Sequence, residues 1–369
     1  MEKLRLKRLW LVVPGVAALG LTLLAQTNPA ATDELFSRGA YPWLSSAWGF
    51  LPSLVPWSVA QWVVVAFLVF CIGFIIAYAV KFVRGKGERL LVLWRALATA
   101  LAVASIGFTI FALMCGLNYY RPTFAEEAGF ELRESTPDEL AALCENLATR
   151  VNEARAAVPD DADAYAEAQG GFEAYAREAV GDMEALAEQY PALERPLYSP
   201  PKPVLFSEVL SYLDIAGMYF PFTVESNINV DGPFFTIPAT MGHELAHQCG
   251  FMREDEANFI GYLACKNAAD PLTRYSGYSL AYDYAISALA RVDRERAVAI
   301  NDTLSEAVRA DRRARSEFLK KHEGPVAQAS NAANNAYLKA NQQQDGTKSY
   351  GRMVDLLLAE AREEAAGNH

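Results

Sequence analysis

Apolar positions crowd the first third of the chain. "LWLVVPGVAALGLTLLA" (9–25), most of "VAQWVVVAFLVFCIGFIIAYAV" (59–80) and most of "LLVLWRALATALAVASIGFTIFALMCGL" (90–117) run on with little polar interruption. None carries the polar stripe that marks the outer face of a soluble helix. The latter two have the roughly 20 residues that a helix needs to cross a bilayer. The pattern predicts three transmembrane helices at about 9–25, 59–81 and 91–116, forming a membrane domain over residues 1–117. Arg95 sits near one end of the third run, where its stem can reach the interface. Buried core helices are the competing reading, and the charges flanking the runs weigh against it. The first run also has the basic–apolar–small order of a cleavable signal peptide, with Ala30 and Ala31 behind it.

Beyond residue 117 the pattern turns amphipathic. "STPDELAALCENLATRVNEARAAV" repeats leucine at helical spacing. It opens with Thr136 as N-cap, Pro137 at the first helical position and Glu139 to close a capping box. "GFEAYAREAVGDMEALAEQY" predicts a second helix, which the prolines of "RPLYSPPKP" end. Residues 203–238 are rich in aromatic and β-branched side chains and predict one or more strands. From Pro238 onward the helical period returns. "YSGYSLAYDYAISALARV", "NDTLSEAVRADRRARSEFLKKH", "PVAQASNAANNAYLKAN" and "SYGRMVDLLLAEAREE" are four further candidate helices. The predicted fold is mainly α with a small β element, in which three N-terminal membrane helices precede a second domain over residues 118–369.

Charge gives these elements a direction. The chain carries 33 Lys and Arg against 44 Asp and Glu, a net charge of −11. That balance argues against nucleic acid as a partner, since phosphate binding needs a basic face. Lys3, Arg5, Lys7 and Arg8 precede the first run, and "KFVRGKGER" joins the second to the third. The first connection holds Asp33, Glu34 and only Arg38 as a cation. Lysine and arginine favour the cytoplasmic side, so the basic segments predict a multi-pass protein of the cytoplasmic membrane, in contact with lipid, whose C-terminal domain is extracytoplasmic. Five cysteines include no CxxC pair, which leaves a cysteine zinc ribbon unsupported. For Cys249 and Cys265, a bridge and two free thiols fit equally well. Cys144, the third cysteine beyond the membrane runs, makes their number odd.

Two of the four histidines fall in "MGHELAHQCGFMREDEANF", residues 241–259. His243 and His247 are four apart and share a helical face, with Glu244 beside them. Zinc suits this set: two neutral imidazoles, one carboxylate and an open position for water. Glu244 would then serve as the general base. Two surface histidines on a polar helix are the bland alternative. Gly250 suits a left-handed turn that closes the helix, after which "EDEANFIGYLAC" starts another. Glu254 shares a face with Asn258, Gly261 and Cys265, all small or polar, whereas Glu256 shares one with Ile260 and Leu263. The faces favour Glu254 as third ligand, with Glu256 as the alternative and Asp255 disfavoured. Asn258 could accept a hydrogen bond from a ligand histidine and orient it.

At these residues the chain resembles the gluzincin metallopeptidases. In the membrane peptidases of the heat-shock and CAAX-processing types HExxH is followed by an E-x-x-A-D helix, and in antitoxin-like peptidases by E-x-x-A-N. The first glutamate of that motif binds zinc in those families and falls on Glu254, with Asn258 at the final position. The interval from His247 to Glu254 is short for that group. A metzincin pattern would put its third ligand on Arg253, which cannot ligate. More specifically, "GLNYYRP", "GMYFPFTVESNIN", "HELAHQCGFMREDEANF" and "SYGRMVDLLLA" resemble an uncharacterised bacterial family catalogued as domain of unknown function 3810. The resemblance implies a membrane-bound zinc peptidase whose cofactor is Zn2+ and whose substrate is a peptide or protein.

Some residues are left to place. The stretch with Tyr219, Phe220, Phe222 and Thr223 could be an edge strand that pairs with an extended substrate, or a strand of the core. An oxyanion needs a donor. Tyr219, Tyr275 and Tyr350 are candidates, as is His322, although the charges of "EFLKK" predict that it faces solvent. The alternative function is a membrane sensor or scaffold in which zinc is structural or vestigial.

Overall fold

The computed structural model describes residues 10–85, 87–341 and 352–367. Among these residues helices dominate, and three short strands form a single sheet.

The first apolar helix, α1, is Val13–Thr27. Between it and the second run lies an element that the apolar pattern does not predict: a π-helical segment, Asp33–Ala40, leads into α2, Tyr41–Ser53. The long apolar helices α3, Val59–Arg84, and α4, Arg89–Met114, follow and pack against each other in opposite directions. α1 runs alongside α4 in the same direction, since the Gly15 N–H donates to Ser105 Oγ at 2.8 Å and Gln26 Nε2 to Tyr120 OH at 2.9 Å. Three stretches, Trp10–Thr27, Val59–Arg84 and Arg89–Met114, are long and apolar enough to cross a membrane. At most 28% of any of their most apolar windows is buried within the protein, so they are not core helices.

The remaining helices build one core. α5, Pro137–Ala156, begins with the predicted capping box, in which Thr136 and Glu139 satisfy each other's backbone N–H. α6, Gly171–Gln189, follows. The stretch predicted as strand holds only Lys202–Pro203 (β1), Gly217–Phe220 (β2) and Glu225–Ile228 (β3), with a short helix, α7, Ser207–Tyr212, between the first two. β3 is central, parallel to β1 and antiparallel to β2, which leaves β2 as an edge strand. Then come α8, Ile237–Gln248, α9, Glu254–Lys266, and α10, Pro271–Val292. The second of the four predicted C-terminal helices, residues 301–322, starts later than its pattern suggests: its first two residues end a separate helix, α11, Arg294–Asp302, and α12, Glu306–His322, begins after Ser305, which caps it by accepting from the Val308 N–H. α13, Pro325–Ala340, and α14, Met353–Ala366, complete the chain. Met241, Leu245, Phe259, Leu263, Leu272 and Leu357 meet in the core beneath the site.

Buried polar groups tie the apolar helices to this core. The Arg121 guanidinium reaches Asp33 at 3.4 Å and Glu127 at 3.0 Å, donates to the Cys249 carbonyl at 3.2 Å and lies over the Phe251 ring. Glu225, fully buried in β3, accepts the first backbone N–H groups of α3 from Val59 and Ala60 at 3.0 and 2.8 Å and pairs with Lys202 at 2.5 Å. A carboxylate at a helix N-terminus satisfies orphan donors and favours the helix dipole.

Candidate metal centre

Two helices that nearly touch bring the site together. Pro238 lies in the first turn of α8, whose Met241, Leu245 and Ala246 are fully buried on the core side. Gly250 turns the chain at φ +88°, and the Phe251 N–H closes back on the Ala246 carbonyl at 3.2 Å. α9 then crosses α8 where Gly242 faces Gly261. A Cβ on Gly261 would stand 2.8 Å from the His243 backbone nitrogen, and one on Gly242 would stand 2.9 Å from the Gly261 Cα. Only glycine at both positions allows that approach, and it is what brings Glu254 on one helix to the histidines on the other.

His243, His247 and Glu254 each offer a donor atom, all within 4.8 Å of one another. Glu254 lies 3.4 Å from His243 Nε2 and 3.8 Å from His247 Nε2. The other ring nitrogens are held from behind: His243 Nδ1 is 3.0 Å from Asn258 Oδ1, and His247 Nδ1 is 2.7 Å from the Phe251 carbonyl. Carbonyl oxygens there fix each Nδ1 as the protonated nitrogen, which leaves both Nε2 atoms free to ligate. Asn258 in turn donates to the Tyr284 hydroxyl at 3.1 Å. Glu244 stands 4.0 Å from His243 Nε2, and its Oε2 is buried without a hydrogen-bond partner.

Burial and crowding of like charge set the protonation. Burial pushes the Glu244 carboxyl up to about 8, helped by the charge of Glu254. Burial opposes a charge on His243, but Glu254 and Glu244 outweigh it and raise that imidazole to about 9. His247, buried beside His243, falls to about 4. With Glu244 held in its neutral form, the charge of Glu254 is balanced here by a proton on His243; a bound cation would replace that proton, free His243 Nε2 and favour the ionised form of Glu244. The nitrogen–oxygen donor set, Nε2 atoms that face one another and the orphaned Glu244 oxygen fit a divalent ion such as zinc.

The cavity in front of this cluster has a volume of about 850 Å³. The edge strand β2 forms one wall. A Cβ at Gly217 would stand 2.5 Å from Glu244 Oε1, so only glycine lets the strand lie this close to the carboxylate. Phe220 and Phe222 line the cavity, as does Tyr219, although its hydroxyl turns away to donate to the Met114 carbonyl at 2.9 Å. Thr223 is buried in the turn behind them and is not on the wall.

The other acids and the donor candidates lie elsewhere. Glu256 is buried on the far side of α9 and accepts from the Phe124 N–H at 3.1 Å and from Arg253 at 3.0 Å. Asp255 is buried, which raises its carboxyl to about 6 with help from Glu256. Tyr275 is fully buried and donates to Asp311 at 2.8 Å, away from the cavity. His322, expected to face solvent, is buried instead, with its Nδ1 2.9 Å from the Phe318 carbonyl and its ring against Tyr212. It ends α12 one turn after Phe318, on the face that meets α7, and it does not line the cavity. Tyr350 lies outside the described residues. Tyr284, which no sequence pattern singles out, lines the cavity from α10. Burial, with the charge of Glu254, raises its phenol to about 12, so it stays an O–H donor at neutral pH. Cys249 and Cys265 are both buried free thiols.

No curated protein and no solved structure matches this chain. Residues 36–358 match the family described as "Protein of unknown function (DUF3810)", a region that begins after the first apolar helix and includes α2, the sheet and both site helices. That match spans most of the chain, and the protein therefore belongs to the DUF3810 family.

Proposed function

We propose that this protein is a membrane-anchored zinc metallopeptidase. One observation carries the reading: three donors from two helices converge beside a buried carboxylate with an unpartnered oxygen, in a cavity walled by an edge strand. His243 Nε2, His247 Nε2 and the Glu254 carboxylate would hold the ion. When bound, zinc supplies Lewis acidity toward water and a carbonyl oxygen. Glu244 takes the proton of the attacking water at its free oxygen and returns it to the leaving amine. The outer edge of β2 offers main-chain groups to an extended peptide, with Phe220 and Phe222 beside it. Tyr284 can donate to the oxyanion. Lys81, Arg84 and Arg89 flank the turn between α3 and α4, which supports a cytoplasmic turn, a multi-pass topology and an extracytoplasmic site.

The sensor or scaffold alternative needs a closed zinc shell with four protein ligands. Among the described residues the cluster offers three donors. Glu244→Gln in the purified full-length protein is the decisive variant. We expect it to keep the zinc content of the wild type, measured by elemental analysis, and to lose peptide cleavage by about 10³-fold. Cleavage at the wild-type rate would remove Glu244 from the mechanism.

A further inference from the structure

α2 is inside out for a helix in water. Its buried positions, Tyr41, Ser45, Ser46 and Gly49, are mostly polar or small and face the protein. Tyr41 OH donates to the Gln248 carbonyl at 3.1 Å, Arg195 donates to Ser45 Oγ at 3.1 Å, and a Cβ on Gly49 would lie 3.1 Å from the Val224 side chain. Its large apolar side chains point outward: Trp43 is 69% exposed and Leu51 73%, with Leu44, Trp48 and Phe50 beside them. A soluble amphipathic helix shows the reverse arrangement.

The surroundings identify what covers this face. There is no Asp, Glu, Lys, Arg or His from Tyr41 to Val80, so the outward face of α2 continues without a charge into the apolar helix α3. At 13 residues, α2 is too short to cross a bilayer. Four of the six tryptophans, Trp43, Trp48, Trp57 and Trp62, lie on α2 or around the start of α3, the level at which tryptophan collects in a membrane. The patch extends onto the sheet side, where exposed Phe206 meets Trp62 and the N–H of its exposed neighbour Leu205 donates to Gln61 at 3.0 Å.

We infer that α2 is an interfacial helix lying flat in the headgroup layer of the bilayer that α3 and α4 cross, with its tryptophan face in the lipid and its polar face under the metal centre. Trp48 Nε1 donates to the Phe222 carbonyl at 2.9 Å, so the same helix holds the β2–β3 turn that walls the cavity. Met114, at the end of α4, holds Tyr219. The mouth of the site is thereby fixed at the membrane surface. This rests on the membrane reading of the apolar helices and not on peptidase activity.

Depth-dependent quenching tests it. Full-length protein is reconstituted in phosphatidylcholine nanodiscs containing lipid brominated either near the headgroup end of the acyl chain or near its methyl end. The emission lost in Trp43→Phe/Trp57→Phe, taken as a difference from wild type, should be quenched about twofold more by the shallow bromine than by the deep one. Leu51→Cys carrying a polarity-sensitive fluorophore reports the same depth with every tryptophan in place. A component insensitive to both lipids overturns the inference, and a doubled particle mass would then name a second copy as the cover. Stronger quenching by the deep bromine overturns it as well.

Discussion

α9 and α3 are both rich in apolar residues, yet the protein treats them in opposite ways. Every residue of α9 from Asp255 to Cys265 is buried. In α3 only Ala60 is buried, although the helix is far more apolar. Hydropathy tells how much a segment avoids water and nothing about what replaces the water. For α9 the replacement is other helices, so its few polar groups each need a partner: Glu256 has Arg253 and Phe124, Asn258 has His243 and Tyr284, and Glu254 has the histidines. For α3 the rest of the protein replaces little of it, and the helix carries no charge until Lys81, which suits a lipid surrounding. Packing shape matters in the first helix and composition in the second.

Glycine substitutions separate the two most sharply. Gly261→Val would drive a side chain into the backbone of α8, which cannot move aside without carrying His243 with it. A loss of about 3 kcal/mol is expected, at the upper end of overpacking costs, together with loss of bound zinc. Gly73→Ala, in the middle of α3, meets nothing within 4 Å and should change stability by less than about 0.5 kcal/mol. Thermal melts and zinc content of both variants in the same detergent make the comparison. Equal shifts would mean that the α8–α9 crossing is not tight.

Two neighbouring acids of α9 divide in the same way. Glu256→Ala strips the Phe124 N–H and Arg253 of their acceptor, a destabilisation of about 2 kcal/mol, while the folded fraction still binds zinc. Glu254→Ala should do the reverse, abolishing zinc binding while relieving the crowding of carboxylates beside Glu244. Zinc titration by calorimetry beside a melt of each apo-protein distinguishes them. If Glu256→Ala loses the metal and Glu254→Ala keeps it, the ligand assignment is wrong.

Much of this was visible in the chain, because the signals were local. The apolar runs, the capping box at Thr136, the turn at Gly250 and the face that carries Glu254 toward the histidines all depend on residues a turn or two apart. α2 could not be read that way. Its exposed face is aromatic and its buried face carries serine and glycine, so a periodicity argument built for water has no inward stripe to find. Tyr284 reaches Asn258 from 26 positions away through the packing of α10 on α9, and nothing nearby distinguishes it from Tyr282, which bonds Asn301 instead. Residues 203–238 predict one or more strands, and those that form are short because Tyr219, Phe220 and Phe222 line the cavity and Phe206 packs against Trp62 rather than extending a ladder. The charged neighbours of His322 predict an exposed position, but its ring lies one turn after Phe318 on the helix face that packs against Tyr212.

The smallest expected effect comes from behind the site pair. Asp182 on α6 lies beside Gly242 and Cys265, in a small pocket that includes no residue of the candidate metal centre. Burial, reinforced by Glu178 and Asp270, raises its carboxyl to about 7. An unfolded chain would hold this proton only below about 4. Between those limits the folded state binds more protons than the unfolded one, so this group's contribution to stability is complete below pH 4 and is lost as pH rises toward 7. Partial exposure screens the effect, which we set at about 1 kcal/mol. Asp182→Asn keeps the shape without the charge. It should therefore melt with the wild type at pH 4.5 and above it at pH 8, a divergence that no carboxylate between Tyr41 and Val80 could produce, since that stretch has none. A constant offset at both pH values would show that Asp182 is already ionised in the fold and that water, not protein, surrounds it.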